Sequence, residues 1–230
     1  ELPELPDGTL SLEVSVAEYQ QSSEGTMIQE LWQKKMEEYL PQYDYYGVIR
    51  GGDSNEEQSE MNGIFYLKDK YKLIDEGTIW LSETPEKKYS VSYDSACRRI
   101  ATWAVLEDKQ TGAKYTHLNT HLDHVSEEAQ LHQAAMVIEK AKSFGVPVVI
   151  TGDMNVTPDS SVYAAYTAEF DDTRVEAPVT DDYPTYNAFD ENRAKEDMPI
   201  IDFCFSKGFT AQKFDVIDGN YSSDHFAIWA

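Results

Sequence analysis

From Leu10 to Val16 apolar residues fall on every second position (Leu10, Leu12, Val14, Val16), the period of a half-buried strand, and polar neighbours over Thr9–Tyr19 put it at a sheet edge. The period then changes. Leu31, Trp32, Met36, Tyr39 and Leu40 recur at helical spacing over Gln29–Leu40, and Pro41 ends the segment because its ring disfavours helical backbone before it. Short apolar strands are predicted at Gly63–Leu67, Lys72–Glu76 and Ile79–Leu81, followed by a loop over Pro85–Asp94. Ile100–Leu106 and Tyr115–Leu122 flank Glu107–Ala113, whose Asp108 and Gly112 suit a hairpin turn, so this region is expected to be antiparallel. Ser126 is a good N-cap for a helix with Glu127 and Glu128 in its first turn and Lys140 and Lys142 in its last, ended by Gly145. Leu131, Ala134, Ala135, Ile138 and Ala141 are its expected buried face. Val146–Ile150 is a continuous apolar run, the pattern of a strand buried on both faces, with Gly152-Asp153 at its carboxyl end. Further strands are predicted at Ile200–Ser206, Phe214–Ile217 and Phe226–Trp229, after an irregular polar stretch from Asp171 to Asp197.

Composition adds limits to this α/β pattern. The length of 230 residues suits one core, so a single domain is expected over residues 9–230, entered by an extended tail at 1–8 with two prolines and an Asp-Gly pair. The charge is 19 − 42 = −23, and no Lys/Arg-rich stretch supplies the basic face that gripping duplex nucleic acid requires. A bound cation would offset that field locally, so a phosphate-processing pocket is compatible with it. Cys97 and Cys204 are too few for a disulfide framework, and no run approaches the ~20 apolar residues of a membrane span. The sequence starts at Glu1 without Met, and the expectation is a monomer, either exported after removal of a leader or cytoplasmic.

Three clusters could carry chemistry. Asp153 and Asn155, two apart in the turn after the buried strand, can present a carboxylate and an amide to one pocket, although both are ordinary turn formers. In Asn119-Thr120-His121-Leu122-Asp123-His124, alternation sends Asn119, His121 and Asp123 to one side; the bland readings are a backbone-bonded histidine or a zinc site from His117, His121 and Asp123. Asp224-His225 precedes the final strand, and Asp202 sits in the otherwise apolar Ile200-Ile201-Asp202-Phe203. A carboxylate buried there needs a partner, either a histidine whose tautomer it fixes or a basic side chain. Glu30 reads on its own as a first-turn glutamate favoured by the helix dipole. Arg98-Arg99 could hold a phosphate oxygen or form salt bridges.

The order of these motifs adds what each lacks alone. Met27-Ile28-Gln29-Glu30, Glu60-Met61-Asn62-Gly63-Ile64-Phe65-Tyr66, Trp80-Leu81-Ser82-Glu83-Thr84-Pro85, Arg99-Ile100-Ala101-Thr102-Trp103, Asn119 to His124, Gly152-Asp153-Met154-Asn155, Ile201-Asp202-Phe203 and Ser223-Asp224-His225 follow one another along the chain. This set, over roughly residues 27–230, resembles the endonuclease/exonuclease/phosphatase superfamily, and the Trp80–Pro85 stretch is similar to a bacterial subgroup of it.

The resemblance implies a DNase I-like four-layer sandwich of two mixed β-sheets flanked by helices, hydrolysing phosphoester bonds with Mg²⁺ or Mn²⁺. It assigns Glu30 to the metal with Asp224 beside it, Asp153 to the attacking water, and Asn155 and His121 to the phosphoryl group. His225 becomes the general acid/base oriented by Asp202, while Arg99 and Asn119 lie on the substrate side. The expected substrate is a small or flexible phosphoester such as a sugar phosphate, nucleotide or lipid head group. The alternatives are a single-strand nuclease or deadenylase with Tyr45, Tyr46, Tyr183 and Tyr186 as stacking platforms, and a binding domain that has lost its metal. One departure stands out: the superfamily opens with a strand ending in a metal-site asparagine, and no Asn precedes Asn55 here. The expectation is a truncated chain whose first strand is replaced by Leu10–Val16, or a site with fewer metal ligands.

Overall fold

The hairpin around Asp108 starts the main sheet. Asp108 Oδ1 accepts from the Gln110 and Thr111 amides at 3.0 and 2.8 Å, and Gly112 takes the left-handed conformation that closes the turn. The strands it joins are part of a computed structural model that describes residues 15–16, 38–51, 60–219 and 221–230. The expected helix over Gln29–Leu40 lies outside the described residues except for its end, as do Glu30, Asn55 and the tail at 1–8.

The described strands are β1 (Ser15–Val16), β2 (Tyr43–Tyr46), β3 (Ile64–Leu67), β4 (Tyr71–Trp80), β5 (Ile100–Asp108), β6 (Lys114–His121), β7 (Val148–Asp153), β8 (Asp171–Asp172), β9 (Asp202–Lys207), β10 (Asp215–Ile217) and β11 (Ala227–Trp229). The helices are α1 (Glu127–Lys142), α2 (Ser161–Thr167) and α3 (Thr173–Glu176). A six-stranded mixed sheet has the order β4-β5-β6-β7-β9-β8, with β6 and β7 parallel and the other neighbours antiparallel. Opposite it are the three-stranded β1-β11-β10 and the two-stranded β2-β3. The large sheet is buried on both faces. Ala101, Leu118, Ile150, Phe203 and Phe205 pack with α1 and α2, whereas Ala104, Leu106, Tyr115, Val149 and Cys204 point the other way, against β3, β10 and β11. Odd and even positions thus separate the helix layer from the second sheet layer, as the pleat dictates. This is the DNase I-like sandwich.

Three expectations need correction. Lys72–Glu76 and Ile79–Leu81 form a single strand, β4, because Gly77 lies under the Trp103 indole: a Cβ there would stand 2.1 Å from the ring, so the glycine admits the indole and the strand runs on. The buried face of α1 keeps the expected Ala134, Ile138 and Ala141 but is rotated away from the other two. Leu131 and Ala135 are exposed, and Gln130, Gln133 and Val137 are inside, since the two glutamines bond to the loop after β6. Between Asp171 and Asp197 the chain is not wholly irregular but contains β8, α3 and a 3₁₀ turn at Lys195–Asp197. Nothing in the periodicity predicted α2.

Candidate active site

Sheet register brings the first three side chains together. His121 ends β6 opposite Asp153 at the end of β7, and Asp153 is opposite Asp202, the first residue of β9. All three share the parity of Val149 and Cys204, so they point toward the second sheet. From that side comes His225, two residues before the start of β11.

Gly152 makes this register possible. Its φ is +153°, and a Cβ would stand 1.9 Å from the Thr120 carbonyl oxygen, so only glycine lets β7 lie this close to β6 just before Asp153. The turn that follows is fixed by its own polar groups. Asn155 takes φ +51°, a conformation that Asn tolerates, and its amide donates to Asp153 Oδ1 at 2.7 Å. Its side-chain Nδ2 donates to the Leu122 carbonyl at 3.0 Å, and its carbonyl accepts from Gln130 Nε2 at 3.1 Å, tying the turn to α1 and the β6 loop.

Around Asp153 the acids and imidazoles alternate. Asp153 Oδ2 lies 3.4 Å from His121 Nε2 and 3.8 Å from His225 Nε2. The far nitrogen of each ring also faces a carboxylate: His225 Nδ1 is 2.8 Å from Asp202 Oδ2, and His121 Nδ1 is 3.5 Å from Glu60 Oε2. The series Glu60, His121, Asp153, His225, Asp202 is therefore continuous and, apart from half-buried Glu60 and His121, buried. The Asp202 contact fixes the His225 tautomer with its proton on Nδ1, leaving Nε2 to exchange a proton at the centre. Burial raises the Glu60 pKa, but the hydrogen bond from His121 and the charges of Arg50 and Arg99 outweigh it and hold the group at about 2. Arg50 is 2.8 Å and Arg99 3.7 Å from this carboxylate.

Of the predicted residues, His121, Asp153, Asn155, Asp202 and His225 converge. Asp224 is buried beside His225, its carbonyl accepting from the Asn187 and Ala188 amides at 2.7 and 3.1 Å. Arg99 is buried, with Nη2 3.2 Å from His124 Nδ1 besides its contact to Glu60. Asn119 uses its amide within the sandwich, donating to the Gly63 carbonyl at 3.0 Å and accepting from Thr151 at 3.4 Å. Asp123, expected on the same side as His121, instead turns into the loop. Its oxygens accept from Ser95, Ala96, Val125 and Ser126, so it is a brace and the zinc reading from His117, His121 and Asp123 fails; His117 is paired with Thr151 at 2.8 Å. Glu60, inside the Glu60–Tyr66 motif, and the buried Thr185 and Asn187, inside the polar stretch from Asp171 to Asp197, carry no periodic signal that marks them as neighbours of the site. Of the expected platforms, Tyr45 stacks on Phe65, Tyr183 packs on Phe226, and Tyr186 lies 4.9 Å from the His225 ring.

The donor set fits a hard divalent cation. Ligand-type atoms of Asp153, Asp202 and His225 lie within 4.8 Å of one another, two carboxylates and one imidazole.

The comparisons bear on the family and the fold. A solved endonuclease/exonuclease/phosphatase protein from Bacteroides vulgatus is 35% identical, superimposes with a TM-score of 0.80, and is matched over 86% of this chain and 78% of its own. A mannosyl-6-phosphatase from Bacteroides thetaiotaomicron is 32% identical with a TM-score of 0.78, over 86% of this chain and 80% of its own. The CCR4-Not complex 3'-5'-exoribonuclease subunit Ccr4 of Mycosarcoma maydis is 26% identical over 183 residues, 59% of this chain and 27% of that protein. The chain spans about a quarter of the length of the curated relatives it matches. The model of the endonuclease/exonuclease/phosphatase family matches residues 27–225, and with the sandwich and the Asp153-centred cluster in place, the chain belongs to that family.

Proposed function

We propose that this chain is a divalent-metal-dependent phosphoesterase acting on a small phosphomonoester, with Asp153 at the centre of its chemistry. The observation that carries the reading is the position of Asp153 Oδ2 between the Nε2 atoms of His121 and His225, each ring backed by a second carboxylate. Hydrolysis of a phosphoester needs an oriented water, charge stabilisation on the phosphoryl oxygens and a proton carrier. Asp153 orients the water through the oxygen that its own turn leaves toward the histidines. His225, held by Asp202, gives or takes a proton at Nε2. His121, held by Glu60, presents an N–H to the phosphoryl oxygens, and Asn155 Nδ2 lies at the same turn. Mg²⁺ or Mn²⁺, held by Asp224 and Asp153 with Glu30 as the further ligand, would neutralise charge on the phosphoryl group and acidify water.

The charge of −23 and the mannosyl-6-phosphatase neighbour both favour a small substrate over a polynucleotide. The Ccr4 relatives support nuclease action on single strands as the second reading, with Tyr186 beside His225 as a platform at the site. The test is a panel of sugar phosphates, nucleotides, a phosphodiester and single-stranded oligonucleotides, assayed with Mg²⁺, Mn²⁺ and EDTA. Monoester turnover should be abolished by the chelator and restored by either ion. Asp153→Ala and His225→Ala should each lose on the order of 10³-fold in kcat. Wild-type rates in both variants would show the site to be elsewhere.

A further inference from the structure

We propose that Thr185 is the positioning residue that sets the His225–Asp202 contact, an inference resting on the catalytic reading above. The contact has to be held across a gap. Asp202 belongs to β9, whose ladder neighbours are β7 and β8, whereas His225 precedes β11, whose neighbours are β1 and β10. No described ladder joins the two strands, yet Oδ2 and Nδ1 are 2.8 Å apart.

Thr185 connects both sides. Its side chain is fully buried, and its hydroxyl oxygen accepts from the Ile201 amide at 3.0 Å and from the Asp202 amide at 3.1 Å, using both lone pairs. Its carbonyl accepts from the Phe226 amide, the residue after His225, at 2.7 Å. The Thr185 and Tyr186 amides both donate to the Pro199 carbonyl, at 3.1 and 3.2 Å, which locks the segment against the approach to β9. Tyr186 then forms an antiparallel bridge with His225 and lays its ring 4.9 Å away. One residue is thus bonded to the backbone of Asp202 through its side chain and to the backbone beside His225 through its main chain.

A hydroxyl is needed for this, because a methyl in its place offers no acceptor and leaves two buried amides unpaired. The backbone at Asp202 would then move away from Thr185, and a shift of about 1 Å in a catalytic pair can lower turnover by about 10²-fold. Substrate affinity does not depend on that contact, so the loss belongs to kcat.

The experiment uses the full chain with Thr185→Val and Thr185→Ser. Turnover is measured on a monoester that the wild type hydrolyses, with Mg²⁺ present, and the downfield ¹H resonance of the His225 Nδ1 proton is followed by NMR, assigned by its disappearance in Asp202→Asn. Thr185→Val should lose about 10- to 100-fold in kcat with KM within about twofold, and its Nδ1 resonance should broaden or move upfield. Thr185→Ser, which keeps the oxygen, should restore kcat to within about threefold and restore the resonance. Equal losses in Val and Ser, a wild-type kcat in Thr185→Val, or lost turnover with an unchanged resonance would each overturn the proposal. Should the Val variant not fold, Thr185→Cys, with a weakly accepting sulfur of similar size, takes its place under the same expectations. If the wild type hydrolyses no phosphoester, the catalytic reading fails alone, and the resonance still decides whether Thr185 sets the contact.

Discussion

His121 is held from both sides, and the two holders differ in kind. Asp153 is buried at the end of β7, whereas Glu60 sits on the approach to β3 and is itself gripped by Arg50 and Arg99. Replacing Glu60 by Gln keeps the shape and removes the charge, so His121 Nδ1 loses its anion and two arginines lose theirs. The expected result is a 10- to 100-fold fall in kcat with a measurable fall in thermal stability, read by steady-state kinetics and a melting scan. A variant with unchanged kcat would make Glu60 a counter-ion for the arginines only. Glu60 was present in a recognisable motif, but its role was illegible because a contact between positions 60 and 121 is made by tertiary packing, which no local period encodes. Asp202 was more legible. A carboxylate in an apolar strand announces a partner through the cost of burying it alone, and the 2.8 Å contact to His225 is that partner.

At the level of elements, the site depends on β7 lying close to β6. Gly152→Ala would push a methyl into the Thr120 carbonyl, and because the obstacle is backbone, the strands themselves must separate. A loss of about 3 kcal/mol or more in unfolding free energy is expected from urea titration, with activity lost even where the variant folds, since Asp153 moves with the strand. Stability within about 0.5 kcal/mol of wild type would show that the close approach is dispensable. Strand positions were readable because a run such as Val146–Ile150 has few other uses in water, and strand β7 is buried throughout. The face of α1 was not readable in the same way. Burying Leu131 was the obvious choice, but the helix rotates to place Gln130 and Gln133 against the loop carrying Asp123, where they satisfy its backbone groups. Polar satisfaction of a buried loop outranked the burial of one leucine, and that loop exists only after the sheet has formed.

On the scale of the molecule, two electrostatic effects of opposite sign act on stability as the pH falls. Net charge of −23 means that protonating surface carboxylates relieves repulsion, which favours the folded state at mildly acidic pH. His117 works against it. Burial among the strands lowers its pKa from 6.5 to about 4, because the charged ring cannot be solvated beside Thr151. The unfolded chain therefore binds the proton that the folded chain refuses between pH 6.5 and 4, so the stability His117 permits is complete above about pH 6.5, declines as pH falls, and levels off below about 4. The ceiling of this loss is about 3 kcal/mol, reduced by the part of the ring that water still touches. Glu60 extends the loss in the same direction, from its ordinary value near 4.5 down to about 2. His117→Gln retains a polar group toward Thr151 and has nothing to protonate, so it separates the two effects. Urea unfolding at pH 7 and pH 4.5 should show wild type losing more stability on acidification than the Gln variant, by roughly 1–3 kcal/mol. Equal losses would mean that surface charge alone governs the acid response and that His117 accepts its proton without disturbing the sandwich.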